Sequence, residues 1–180
     1  MTIYSVGHST RTLDELASIL ADAAVTRLVD VRAIPMSRRH PQFNGASLSV
    51  TLPVRGIDYV HMPELGGRRR AAKGARSHND LWKVEAFRNY ADYAETAAFG
   101  AAIDALEALA RERPTAYMCA EALWWQCHRR LITDYLLVRG WTVVHLLGAG
   151  KRQDGSLTPG AVPQPDRTIR YPAAQPKLVE

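Results

Sequence analysis

The sequence predicts a single α/β domain: a mainly parallel sheet with helices on both faces and a ligand cleft at the carboxyl ends of its strands. Short apolar, β-branched runs alternate along the chain with stretches of helical periodicity, the pattern of consecutive β-α-β units. The chain has 180 residues, one domain by length, and 47% of them are apolar, enough for a core. From Gly148 to Glu180 the composition turns rich in Gly and Pro and reads as a tail, leaving residues 1–147 as the domain.

Thr2–Val6 is β-branched and aromatic, so it reads as a strand that Gly7-His8-Ser9-Thr10 ends in a polar loop. Thr12 with Glu15 forms a capping box, and Leu13, Leu16, Ala17, Leu20 and Ala24 give the first helix one apolar face. Arg27–Val31 is a second buried strand, and a right-handed crossover makes it parallel to the first. The two are expected to lie side by side. Their loops carry His8 and Ser9 on one and Asp30 and Arg32 on the other, and a buried Asp30 needs a partner such as Arg32 or His8. Ser47–Val54 reads as a short helix, Gly56–Met62 as a third strand, and the pattern turns helical from about Asn79 until Pro114. Thr142–Leu147 is a last strand.

The stretch Thr115–Arg130 holds both cysteines. Thr115–Cys119 reads as a buried strand, and Leu131, Ile132, Tyr135 and Leu136 recur at helical spacing until Gly140. A strand-to-helix loop at the carboxyl end of a parallel strand is where ligands bind and where helix N–H groups face anions. Cys119, Glu121, Cys127 and His128 are expected to converge there. Cys119, at the strand terminus, is read as the more reactive thiol, and Cys127 as lying one turn inside the helix. The plain alternative is that both are small buried hydrophobes and His128 a core histidine.

Charge is uneven. Between Arg32 and Arg76 nine basic residues face only Asp58 and Glu64, a local +7 in a chain of net +5. That excess points to an anionic partner. Paired Gly66 and Gly67 beside Arg68–Arg70 suggest close backbone approach to a ligand. No signal peptide or membrane span is recognisable, and two cysteines fit a reducing cytoplasm. There is no internal repeat, P-loop or dinucleotide fingerprint, and no cofactor is expected.

Val-Gly-His8-Ser9, Val-Asp30-Val-Arg32-x-x-Pro-x-Ser37, Tyr59-x-His-x-Pro-x-Leu-Gly66-Gly67, Tyr90-Ala-Asp92 and Cys119-Ala-Glu121-x5-Cys127-His128-Arg129 occur in this order. Across roughly residues 3–147 the chain thereby resembles the domain of unknown function family numbered 488. The resemblance implies a bacterial cytosolic α/β domain and adds Ser37 and Arg129 to the candidate residues, without a substrate. The strand-to-helix cysteine also partly resembles rhodaneses and cysteine phosphatases, but Cys119 and Arg129 are ten residues apart, so their tight anion loop is not expected.

Three functions follow. The first is an enzyme, a hydrolase or transferase for an anionic, phosphate-bearing substrate such as a nucleotide or nucleic acid. In it Cys119, Glu121 and His128 act chemically, and His8, Ser9, Asp30, Arg32, Ser37, Gly66, Gly67 and Arg129 bind. The second is a non-catalytic nucleic-acid-binding module using the basic segment. The third, a metal site, is disfavoured because Cys127 and His128 would point about 100° apart on a helix.

Overall fold

The structure is a computed structural model that describes residues 1–71, 74 and 76–173. Strand β1 (Thr2–Gly7) leads into helix α1 (Leu13–Asp22), followed by β2 (Arg27–Asp30), α2 (Gly45–Thr51) and β3 (Asp58–His61). Helices α3 (Glu85–Ala94) and α4 (Ala97–Glu112) precede β4 (Thr115–Cys119), α5 (Arg129–Val138), β5 (Thr142–Gly148) and β6 (Lys151–Asp154). Two short strands, β7 (Val162–Pro163) and β8 (Ile169–Arg170), pair separately. The capping box opens α1 as its sequence requires: Glu15 Oε2 accepts from Thr12 N at 2.6 Å, and Thr12 Oγ1 from Glu15 N at 3.2 Å.

The main sheet runs β3-β2-β4-β1-β5-β6, parallel except for the antiparallel edge strand β6. The expected adjacency of the first two strands is not found, because β4 lies between them. All five residues of β4 are buried, and the interior of a parallel sheet takes the segment that exposes least. Side chains alternate faces along each strand. Leu28, Ala116 and Met118 pack with Leu16, Leu20, Leu48 and Leu52 of the α1/α2 side, whereas Val29 and Tyr117 pack with Tyr90, Phe99, Ile103 and Leu131 on the other.

That division positions the site. The chain leaving β4 turns toward the α5 face, while the loops from β1 and β2 on either side turn toward α1 and α2. A crevice therefore opens at the carboxyl ends around β4, as at any such switch point.

Other expectations also differ from the structure. The third strand and the helix before it are shorter, and helix α3 starts at Glu85 rather than near Asn79. Asn79 is buried outside the helix: its amide donates to Asp92 and Glu95, both at 2.8 Å, and its carbonyl accepts from Tyr171 N at 2.8 Å. The segment after Gly148, read as a tail, is packed onto the domain as far as Tyr171. Strand β6 extends the sheet, Ile169 and Tyr171 are fully buried, and Asp134 on α5 accepts from Thr158 N at 2.8 Å and from the Tyr171 hydroxyl at 2.9 Å. Residues 174–180 and Lys73 of the basic segment lie outside the described residues.

Removing the Tyr171 hydroxyl leaves one Asp134 oxygen buried without that donor. Tyr171→Phe is expected to lower stability by about 1.5–3 kcal/mol in urea unfolding and to speed proteolysis within residues 148–173; unchanged stability would mean the hydroxyl bond holds nothing.

Candidate active site

A cleft of about 680 Å³ opens at the carboxyl ends of β1, β2 and β4. His8 and Ser9 from β1, Arg32 and Ser37 from the loop after β2, and Cys119, Glu121, Cys127 and His128 from the end of β4 line it, with Phe87 and Tyr90 of α3 as one wall. The strand ladder continues past the strand ends, His8 N donating to Cys119 O at 3.0 Å and Ser9 N to Ala120 O at 2.9 Å, so these loops are held in register. Ser9 has φ of +48°, a conformation unusual for a residue with a side chain and found where a turn must be tight.

At the base of the cleft Cys119 and Cys127 face one another, Sγ to Sγ 3.1 Å. Helix α5 begins only at Arg129, so Cys127 precedes it in an extended conformation instead of lying inside the helix. Arg129 is 1% exposed and runs beneath the pair. Its Nε donates to Cys127 Sγ at 3.3 Å, Nη1 to Ser5 Oγ at 3.2 Å and Nη2 to the Glu121 carbonyl at 2.5 Å. No carboxylate pairs with it among the described residues.

These contacts divide the two thiols. Burial pushes Cys127 up, but the hydrogen bond from Cys119 and the Arg129 guanidinium outweigh burial and bring it down to about 6. Burial, together with the bond it donates, pushes the Cys119 thiol well above its usual range. The opposite directions of the two shifts, with Arg129 Nε on Cys127 Sγ, favour Cys127 over Cys119 as the sulfur that carries charge. Burial of Arg129 opposes its charge, and the two sulfurs reverse that and hold it protonated.

His128, beside Cys127, donates from Nε2 to the Val31 carbonyl at 2.9 Å. Burial lowers its pKa to about 4, with the Arg129 charge adding to the effect, so the ring is neutral near neutral pH with a lone pair on Nδ1. His8 is likewise brought to about 4, first by burial and further by Arg32. It stacks on Phe43, centroids 4.3 Å apart.

Arg32 is saturated. Nε and Nη2 grip the two oxygens of fully buried Asp30 at 2.8 and 2.5 Å, Nη2 also reaches Phe43 O at 2.7 Å, and Nη1 donates to His8 Nε2 at 3.1 Å. Tyr59 adds a hydroxyl to Asp30 at 2.7 Å. One Nη1 hydrogen remains. Arg32 and Asp30 hold His8 and the loop after β2 in place, and Arg32 has little left with which to grip a ligand.

Of the other candidates, Ser37 lines the cleft and Glu121 is exposed on it, while Asp30, Gly66 and Arg129 are behind its wall. The paired glycines serve packing: a Cβ on Gly66 would stand 2.6 Å from Ala33 Cα, and one on Gly67 2.6 Å from His128 Nδ1. The basic segment divides. Arg39 and Arg68 are exposed on the cleft, whereas Arg69 caps carbonyls of Pro63, Glu64 and Gly66 and stacks on Tyr93 at 3.8 Å, and Arg55 pairs with Asp14.

Phe43, which stacks on His8, escaped sequence reasoning, and Tyr59 and Tyr90 entered it only as letters of the family motifs, without a role in the site. Only the onset of periodicity at Leu131 signalled that the helix starts after Cys127. One ligand atom each from Cys119, Cys127 and His128 lie within 4.8 Å of one another, a soft sulfur and nitrogen set that suits zinc. The Arg129 charge against Cys127 opposes a cation there, and the arrangement is better matched to a stabilised thiolate.

Gly7 is the tightest point of the frame: a Cβ would lie 1.8 Å from the Glu121 carbonyl and 3.0 Å from Arg129 Nη2. Gly7→Ala is therefore expected to cost about 4 kcal/mol or more in urea unfolding, since backbone must move. Gly100→Ala, inside α4 with nothing within 4 Å, should stabilise by about 0.5–1 kcal/mol. Equal effects would refute the crowding at Gly7.

No curated protein and no solved structure matches the chain. A family model described as Domain of unknown function DUF488 matches residues 12–136, a span that begins after His8 and Ser9 and takes in Arg32, both cysteines, Glu121, His128 and Arg129. With well over half of its length matched, the chain belongs to the DUF488 family.

Proposed function

We propose that the protein is a cysteine-dependent enzyme, a hydrolase or transferase, acting on an anionic, phosphate-bearing substrate. One observation carries this: the Cys127 sulfur, held between the buried Arg129 guanidinium at 3.3 Å and the Cys119 thiol at 3.1 Å, in the wall of a cleft large enough for a small molecule. A thiolate so stabilised is a nucleophile at neutral pH. Exposed Arg39 and Arg68 at the cleft supply positive charge for phosphate.

In this reading Cys127 Sγ bonds to the electrophilic atom of the substrate and the leaving oxygen departs with a proton from solvent, while Glu121, exposed on the cleft, orients the attacking hydroxyl. Water or an acceptor hydroxyl then displaces the sulfur, its proton passing to neutral His128. Cys119 acts as hydrogen-bond donor to the thiolate, and His8, Ser9 and Ser37 shape the pocket. Free thiols work only in a reducing compartment, and we place the reaction in the cytoplasm. No helix among the described residues is long and apolar enough to cross a membrane.

A panel of nucleotides and phosphate esters offered to the purified protein tests the reading. Cys127→Ser should lower turnover by about a thousandfold or more while leaving substrate affinity intact. The double substitution Arg39→Ala with Arg68→Ala should weaken binding about five- to tenfold at low salt and less at high salt. Salt-dependent oligonucleotide binding indifferent to Cys127→Ser, with no turnover of any ester, would instead favour the non-catalytic nucleic-acid-binding module.

A further inference from the structure

The reaction above uses Cys119 only as a hydrogen-bond donor, yet its sulfur is the atom best placed to react with Cys127. We propose that Cys119 and Cys127 form a redox-active dithiol that reduces small, anionic disulfides, Cys127 attacking and Cys119 resolving. The proposal rests on the thiolate reading of Cys127 and is independent of the phosphate-bearing substrate.

Geometry carries it. The sulfurs are 3.1 Å apart, and closing to a disulfide of about 2.05 Å needs a shift of about 1 Å. Cys119 ends a strand whose carbonyl is fixed by His8 N, whereas Cys127 sits between a 3₁₀ turn (Trp124–Gln126) and α5, so the movement falls on Cys127. Both line the cleft, which admits a small disulfide, and Arg39 and Arg68 suit its carboxylates. The Glu121 N–H points at Cys119 Sγ at 3.4 Å, ready to stabilise the thiolate that forms there during resolution. A His128 ring nitrogen lies within 4.8 Å of both sulfurs.

The steps balance. Cys127 thiolate attacks one sulfur of R–S–S–R, forming Cys127–S–S–R and expelling R–S⁻. Cys119 gives its proton to neutral His128, attacks Cys127 Sγ and expels the second R–S⁻. The protein loses two electrons and one proton, and the small disulfide, gaining the electrons, leaves as two thiolates. In the oxidised protein Arg129 has lost its counter-charge, which opposes closure, so the dithiol gives up its electrons only to an excess of the small disulfide.

The experiment treats the reduced full-length chain with oxidised glutathione, quenches with acid and measures intact mass. Wild type should lose two hydrogens and both free thiols. Cys119→Ser should accumulate an adduct of one glutathione at residue 127, and Cys127→Ser should react at least about tenfold more slowly. A wild type that accumulates the one-glutathione adduct without closing overturns the dithiol and leaves the thiolate intact. A folded Cys119→Ser protein that takes up no glutathione overturns both. The wild-type result decides closure even if a variant fails to fold.

Discussion

A guanidinium taken out of water costs several kcal/mol unless an opposite charge and a full set of acceptors meet it. Arg129 is buried, its neutral acceptors are Ser5 and the carbonyls of Glu121 and Ala122, and in the proposed reading the anion beside it is the sulfur of Cys127. The charge balance of the interior therefore depends on a thiolate. Losing the sulfur's charge by protonation, alkylation or oxidation strands a buried cation, so the same pair couples the chemistry of the cleft to the stability of the strand-to-helix turn.

The fold supplies what that pair needs. Placing β4 between β1 and β2 sends the flanking loops to the opposite face and opens the crevice above Cys119. Gly7 lets the Glu121 carbonyl come down onto Arg129, and Gly67 lets the chain after β3 close over His128. The Asp30–Arg32–His8 chain, with Tyr59, fixes the other rim. Arg32, Arg55 and Arg69 of the basic segment thus serve architecture, and Arg39 and Arg68 are exposed at the cleft.

Most of the architecture was legible in the sequence because it rests on apolar periodicity: all five parallel strands, the capped first helix and the convergence of His8, Arg32 and the cysteine segment on one sheet edge. Strand order was not, since no local pattern says that the fourth strand inserts between the first two. Strand β6, Lys151-Arg-Gln-Asp154, is exposed throughout and held by its pairing to β5, so hydropathy has nothing to register. Pro-rich composition likewise hid a packed segment anchored by two hydrogen bonds to Asp134 and one to Asn79. Within the site both cysteines stood out, but which one carries the charge depends on a helix starting two residues after Cys127 and on Arg129 turning back beneath it. Neither is encoded in spacing.

The central claim is that one buried thiolate neutralises Arg129, and thiolate ultraviolet absorbance followed against pH in the reduced protein tests it most directly. One thiolate should appear with a midpoint of about 6, vanish from that range in Cys127→Ser and remain in Cys119→Ser, shifted upward by loss of the donated bond. Two thiols titrating together near about 8.5, as free cysteines do, would contradict the account.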